Sequence, residues 1–290
     1  MYGLQFVRAA PCLAPKSHVL ASFISYAYGF HPPHGIRPLV MPFTLKYEDY
    51  TIAWIAILRV EAEAALAVLD KQHDGQFLFK KGDDYIYLGG EINKHDIVIA
   101  TLPEGQAYGI GSASALAIHI KTRFPNIWFC LLVGLAAGLP NLTPKFPFPS
   151  RDIRLGDLLV CIPDKADAGI VQYDLGHNTD DGFTPNGRVA ETPAIIRSAI
   201  RNIRLTKPNP FMRGNEFACH LVALQNRFKR DVFYPLRQEE DQLFENTPEG
   251  TNRVERQPRD ESHRTRVRYG RLGSGNSLMR NSDQRNKLRD

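Results

Sequence analysis

The chain has 290 residues, 43% hydrophobic and 23% charged, which is enough apolar sequence to bury a sizeable core and excludes a chain disordered throughout. A formal charge of +5 would point to an acidic partner only if the excess were gathered on one folded face. Cys12, Cys130, Cys161 and Cys219 are widely spaced without a C-x-x-C pair, so neither a zinc motif nor a disulfide framework is suggested, and a reducing, cytoplasmic setting is expected.

Residues 1–46 carry Arg8, Lys16, Arg37 and Lys46 but no acid. That bias is shared by organelle transit peptides, but the simpler expectation is a disordered extension, with Met41 close to the start of the ordered unit. The apolar stretch Val19 to Phe30 is interrupted by Ser22, Ser25 and Gly29 and falls short of the roughly 18 residues of a membrane-spanning helix, so no membrane partner is expected.

From Thr51 to Leu58 a continuous apolar run predicts a strand buried on both faces, and the Ala-rich stretch Glu61 to Asp70 predicts the helix that follows it. Tyr85 to Leu88 and Ile97 to Leu102 read as two further strands, with Gly89-Gly90 and Asn93-Lys94-His95 marking a hairpin, so the sheet should be mixed. Gly109 and Gly111 precede a small-residue helix capped by Ser112 and ending before Pro125, with His119 a partly exposed helix residue. Trp128 to Val133 reads as the next buried strand. It runs into Gly134-Leu135-Ala136-Ala137-Gly138, where small residues let a backbone approach a ligand or a neighbouring strand closely.

Asn141 to Ser150, with three prolines, reads as a surface insertion, and Gly156-Asp157 opens a strand in which Asp157 suits a turn or cap. Pro193 to Ile203 and Asn215 to Arg230 read as helices and His177 as loop; pattern returns from Val267 to Met279. The basic run Arg253 to Arg289 lacks interleaved aromatics for base stacking and reads as a solvated, partly flexible segment, not a nucleic-acid surface. Strands alternating with helices over residues 47–290 predict a three-layer α/β/α domain with a mixed central sheet.

Several segments, taken in order, resemble the purine nucleoside and uridine phosphorylase superfamily: Ile57-Leu58-Arg59-Val60-Glu61-Ala62-Glu63-Ala64, Val133 through Pro140, Asp152-Ile153-Arg154-Leu155-Gly156-Asp157, and Val171-Gln172-Tyr173-Asp174-Leu175-Gly176. The likeness is closest to the nucleosidase-like branch found in fungi, often at the front of large ankyrin or NTPase-containing proteins. It is strong over residues 47–205 and patchy over 206–290, where Asp241-Gln242-Leu243-Phe244, Arg268-Tyr269-Gly270 and Gly273-Ser274-Gly275-Asn276 continue it. The resemblance implies a nucleoside phosphorylase-like fold, a purine nucleoside as partner, and no cofactor or metal; a homo-oligomer is compatible with it.

Glu61 resembles the glutamate that activates water in the nucleosidases, where related phosphorylases carry a phosphate-binding arginine. Leu132 and Leu135 stand where phosphorylases place an Arg and a Ser, so water is expected as nucleophile in preference to phosphate. A plain reading of Glu61 as a carboxylate favoured by a helix N-terminus stands beside this. Gly134, Leu135, Ala136, Ala137, Gly138, Tyr173, Ser274, Gly275 and Asn276 are the implied nucleoside-binding positions. In the family a Glu-Met-Glu ribose clamp and a base-protonating Asp follow the position of Lys287-Leu288-Arg289-Asp290. The expectation is therefore a domain incomplete at its C-terminus, with weak or absent catalysis and an exposed apolar patch. The alternative is a nucleoside-sensing or interaction module without catalysis.

Overall fold

Alternation of apolar side chains along the strands decides the layering. The computed structural model describes residues 43–143, 150–163, 168–180, 182–185, 191–206, 238–247, 250–260, 264–276 and 285–286; the expected helix Asn215 to Arg230 lies outside them. Strands β2 (Ile52–Ile55), β6 (His95–Ala100) and β7 (Phe129–Leu132) run parallel, with β2 between the other two. β5 (Tyr87–Ile92) is antiparallel to β6, and β3 (Lys71–Gln72) is antiparallel to β5, giving the mixed order β3-β5-β6-β2-β7. Two short strands, β1 (Thr44–Leu45) and β4 (Gln76–Phe77), pair beside it, so Thr44 and Leu45, within the segment expected to be an extension, lie in a strand.

Successive residues of a strand point to opposite faces. Val98 and Ala100 pack with Tyr50, Ala53 and Ile55 against Leu116 and Ile120 of helix α2 (Ile110–Arg123), while Ile99 packs on the other face against Ala65 of helix α1 (Arg59–Ala67) and Leu69. Helices thus cover both faces, which makes the expected three-layer α/β/α sandwich. Tyr47, Tyr50, Phe77, Tyr87 and Phe124 fill the α2 side with mostly edge-to-face contacts at centroid separations of 4.9–6.2 Å. Each such pair adds about 0.5–1.5 kcal/mol beyond area burial.

Two local expectations are corrected. Gly89 and Gly90 lie inside β5, not in a turn: a Cβ at Gly89 would strike the Tyr50 hydroxyl, and one at Gly90 would sit 2.5 Å from Leu69. The turn is Asn93-Lys94 alone, both at positive φ. Ser112 does not cap α2, which starts two residues earlier after Gly109; the Ser112 hydroxyl instead donates to the Ala107 carbonyl at 2.6 Å.

The C-terminal half forms pairs of strands. β8 (Leu158–Cys161) runs parallel to β14 (Val267–Gly270), and β9 (Ile170–Gln172) runs parallel to β15 (Leu272–Ser274). β10 (Gly176–Thr179) and β11 (Gly182–Pro185) form a hairpin that puts His177 on a strand, not in a loop. β12 (Leu243–Thr247) and β13 (Gly250–Val254) form another, and helix α3 spans Ala194–Thr206. Among the described residues, no helix is long and apolar enough to cross a membrane.

The basic run contradicts the expectation of a solvated segment over its described part. The Asp157 side chain is 0% exposed and receives Arg259 Nη1 at 2.5 Å and Nη2 at 3.0 Å, with Arg268 Nε at 3.4 Å. Backbone N–H groups of Arg154 and Arg266 complete its shell at 3.1 and 3.0 Å. Asp152 pairs with Arg154 at 2.9 Å, and Arg256 reaches Asp241 at 2.8 Å. Burial by itself pushes the Asp157 carboxyl up, but the Arg259 hydrogen bonds, the two backbone donors and the Arg259 charge together hold it below the ordinary carboxylate value. Sequence spacing hid this because Asp157 lies about a hundred residues upstream of Arg259 and Arg268.

Candidate functional site

Chain direction places the site at the carboxyl edge of the parallel strands. The chain leaves β2 through α1 on one face and reaches β6; it leaves β6 through α2 on the opposite face and reaches β7 on the other side of β2. Connections departing to opposite faces open a crevice at the strands' carboxyl ends, the usual ligand position in open α/β sheets. The N-terminus of α1, the N-terminus of α2 and the turn after β7 all face this edge.

The first group of expected site residues converges here. Glu61, in the first turn of α1, accepts the Leu58 backbone N–H on Oε2 at 2.9 Å and the Leu135 backbone N–H on Oε1 at 2.7 Å. The Leu58 bond is half of a capping box, so the plain helix-terminus reading of Glu61 is correct as far as it goes. The Leu135 bond goes further: it ties the carboxylate to the turn after β7. Gly134 makes that approach possible, because a Cβ there would lie 2.5 Å from Glu61 Oε1. Gly138 is packed more simply, with Ile153 Cγ2 2.7 Å from where its Cβ would be. Ala136 and Ala137 are exposed turn residues. Arg59 pairs with Glu63 at 2.9 Å and not with Glu61.

Gly134→Ala is expected to cost about 1–3 kcal/mol in denaturant unfolding, the usual range for overpacking a filled site. Combining it with Glu61→Ala should recover most of that loss; additive losses would refute the contact.

The second group forms at the N-terminus of α2. Asn276 Oδ1 accepts the Ile110 backbone N–H at 2.8 Å, supplying the cap expected of Ser112, and the Asn276 backbone N–H donates to Asp174 Oδ2. Tyr173 donates its backbone N–H to the Ser274 carbonyl at 3.0 Å. Its ring lies so close to Gly275 that a Cβ there would come within 2.6 Å. Tyr173, Ser274, Gly275 and Asn276 are therefore one contiguous unit joined to the helix that opens from the β6 edge. Asp174, which the sequence left open between lining the pocket with Tyr173 and ending a strand, belongs to this unit through its contact with Asn276.

Leu132 and Leu135 are 69% and 66% exposed, and Trp128 is 69% exposed: β7 lies at an edge of the five-stranded sheet with none of its residues buried, which corrects the expected buried strand. Neither leucine offers a side-chain donor to an anion. A concavity of about 530 Å³ lies elsewhere, between Ile162-Pro163 and Arg197, Arg201 and Arg204 of α3.

No protein-family model matches the chain. It is 32% identical over 261 residues to a nucleotide-binding leucine-rich repeat (NLR)-like protein of Hyaloscypha variabilis, a match covering 87% of this chain and 24% of that protein. The chain thus spans about a quarter of the relative's length. Among solved structures, a futalosine hydrolase mutant of Helicobacter pylori is 14% identical with a TM-score of 0.41, covering 82% of this chain and 73% of that one. Helicobacter pylori MTAN is 13% identical at the same TM-score, covering 82% and 72%. The chain is an α/β/α protein with a mixed sheet whose ordered sequence segments resemble the purine nucleoside and uridine phosphorylase superfamily, in its nucleosidase-like branch.

Proposed function

We propose that this chain is a nucleoside-binding domain of that superfamily that hydrolyses the N-glycosidic bond of a purine nucleoside, with Glu61 as the residue that activates water. The observation that carries the reading is the fixed Glu61 carboxylate, held between the start of α1 and the Gly134-Leu135 turn at the carboxyl edge of the sheet. Each carboxylate oxygen accepts one backbone N–H and keeps a lone pair, so the group can take a proton from water while staying oriented. The water oxygen bonds to ribose C1′ as the C1′–N bond breaks. The electron pair leaves with the base, which is then protonated.

A carboxylate at this position repels phosphate, and Leu132 and Leu135 supply no compensating donor, which favours water over phosphate as co-substrate. Tyr173, Ser274, Gly275 and Asn276 are assigned to the base side of the pocket. The test is to incubate the purified chain with adenosine, inosine, uridine and methylthioadenosine, with and without phosphate, and to follow free base by chromatography. Release of a purine base without phosphate is expected; release only with phosphate would reverse the choice of nucleophile.

A second reading is favoured by the relative's name: in an NLR-like protein four times this length, the domain would sense a nucleoside without cleaving it. Calorimetric binding of a nucleoside with no product formed would select it.

A further inference from the structure

At the opposite, amino end of the sheet, three ligand-type side chains meet. His73 follows β3, Glu91 lies on β5 and Asp96 on β6, and their nearest nitrogen and carboxylate oxygens all lie within 4.8 Å of one another. We propose that His73, Glu91 and Asp96 form a structural binding site for a divalent transition-metal ion, best matched to zinc.

The strand register places Glu91 directly opposite Asp96, and two like charges so paired destabilise a sheet unless something sits between them. Lys71 stands opposite Glu91 on its other side and is exposed, leaving Asp96 to face His73, whose Nε2 is 3.6 Å from Asp96 Oδ1. That separation exceeds the hydrogen-bond range. It is close to the distance of about 3.3 Å between neighbouring ligands of a tetrahedral zinc with bonds of roughly 2.0–2.1 Å. Small side-chain rotations would bring Glu91 to the same sphere, with water in the remaining position.

The imidazole is also oriented as a metal-binding one is. Its Nδ1 is 2.8 Å from the hydroxyl of Tyr50, a core residue, so with the ring proton donated there Nε2 presents its lone pair to the carboxylates. The Tyr50 ring packs 5.8 Å from the imidazole and fixes its plane. One imidazole with two carboxylates suits zinc better than magnesium or calcium, which prefer oxygen ligands alone. The sequence carries no metal signature because the ligands come from three segments with unrelated spacing.

From Asp96 to Ala100 β6 rises about 13 Å, so the site is remote from Glu61 and would staple the loop after β3 to the β5–β6 hairpin. The test uses the full chain, stripped with chelator and titrated with zinc or magnesium chloride, by calorimetry and thermal denaturation. One zinc per chain with a raised Tm is expected, and no comparable response to magnesium. Asp96→Asn and His73→Gln should each weaken zinc binding at least about tenfold, while nucleoside binding stays unchanged. Equal zinc responses in the parent and both variants, or none in the parent, would overturn the proposal. If a variant fails to fold, cobalt replaces zinc in the parent chain: visible absorption bands typical of tetrahedral cobalt support the site, and their absence refutes it.

Discussion

Arg259→Ala is expected to lower unfolding stability by about 3–5 kcal/mol, the range for removing one partner from a buried ion pair. The side chains of Arg259 and Asp157 are 3% and 0% exposed, and alanine would leave a buried carboxylate without its main cation. Arg268 cannot replace it: its Nε contact with Asp157 is long, at 3.4 Å. Urea unfolding followed by circular dichroism measures the loss, and a change under about 1 kcal/mol would mean the pair is solvated, since that is the surface range. The pH profile gives a second readout. Asp157 has a folded-state pKa below its unfolded value, so its contribution is fully present above about pH 4 and is lost as pH falls through the folded value. The parent should therefore lose stability in that acid window, and Arg259→Ala should show a smaller dependence there.

Glu61→Gln is expected to reduce base release by about 10²–10⁴-fold, the usual contribution of a positioned general base, with nucleoside affinity changed far less. The amide keeps the shape of the carboxylate and can still accept from Leu135, but it cannot take a proton from water. It also leaves at most one oxygen for two backbone donors, so part of the α1 cap is lost, costing about 0.5–2 kcal/mol. The two effects separate the roles: a variant that loses stability but keeps its turnover would reduce Glu61 to a cap. Steady-state kinetics and a melting curve on one preparation decide between them.

The buried strands and their helices were legible because the core writes a strong period. Thr51 to Leu58 has the continuous apolar character of a strand covered on both faces, and β2 with α1 and α2 on either side is that strand. Element ends were less legible. Gly89 and Gly90 look like turn residues until Tyr50 and Leu69 are seen pressing on them, and Ser112 looks like a cap until Asn276, 166 residues later, supplies one. Glu61 and Leu135 were each visible as motif positions, but their contact spans 74 residues and has no local trace. The arginines were misread for the same reason: charge density along a chain says nothing about partners contributed by a distant strand.

Those partners also set an order of assembly. The hairpin of β5 and β6 closes over a two-residue turn, whereas β8 meets β14, and Asp157 meets Arg259 and Arg266, only after 102 to 109 residues have been brought round. Closing such a loop costs entropy before any contact returns it, so long-range parallel pairing is slow. On the ribosome the sheet around β2 can form while the arginine-bearing segments are still being made, leaving Asp157 as a solvated carboxylate until late. The charged belt is then the latch that closes last, and during synthesis the exposed face of β8 is the surface a chaperone would have to shield.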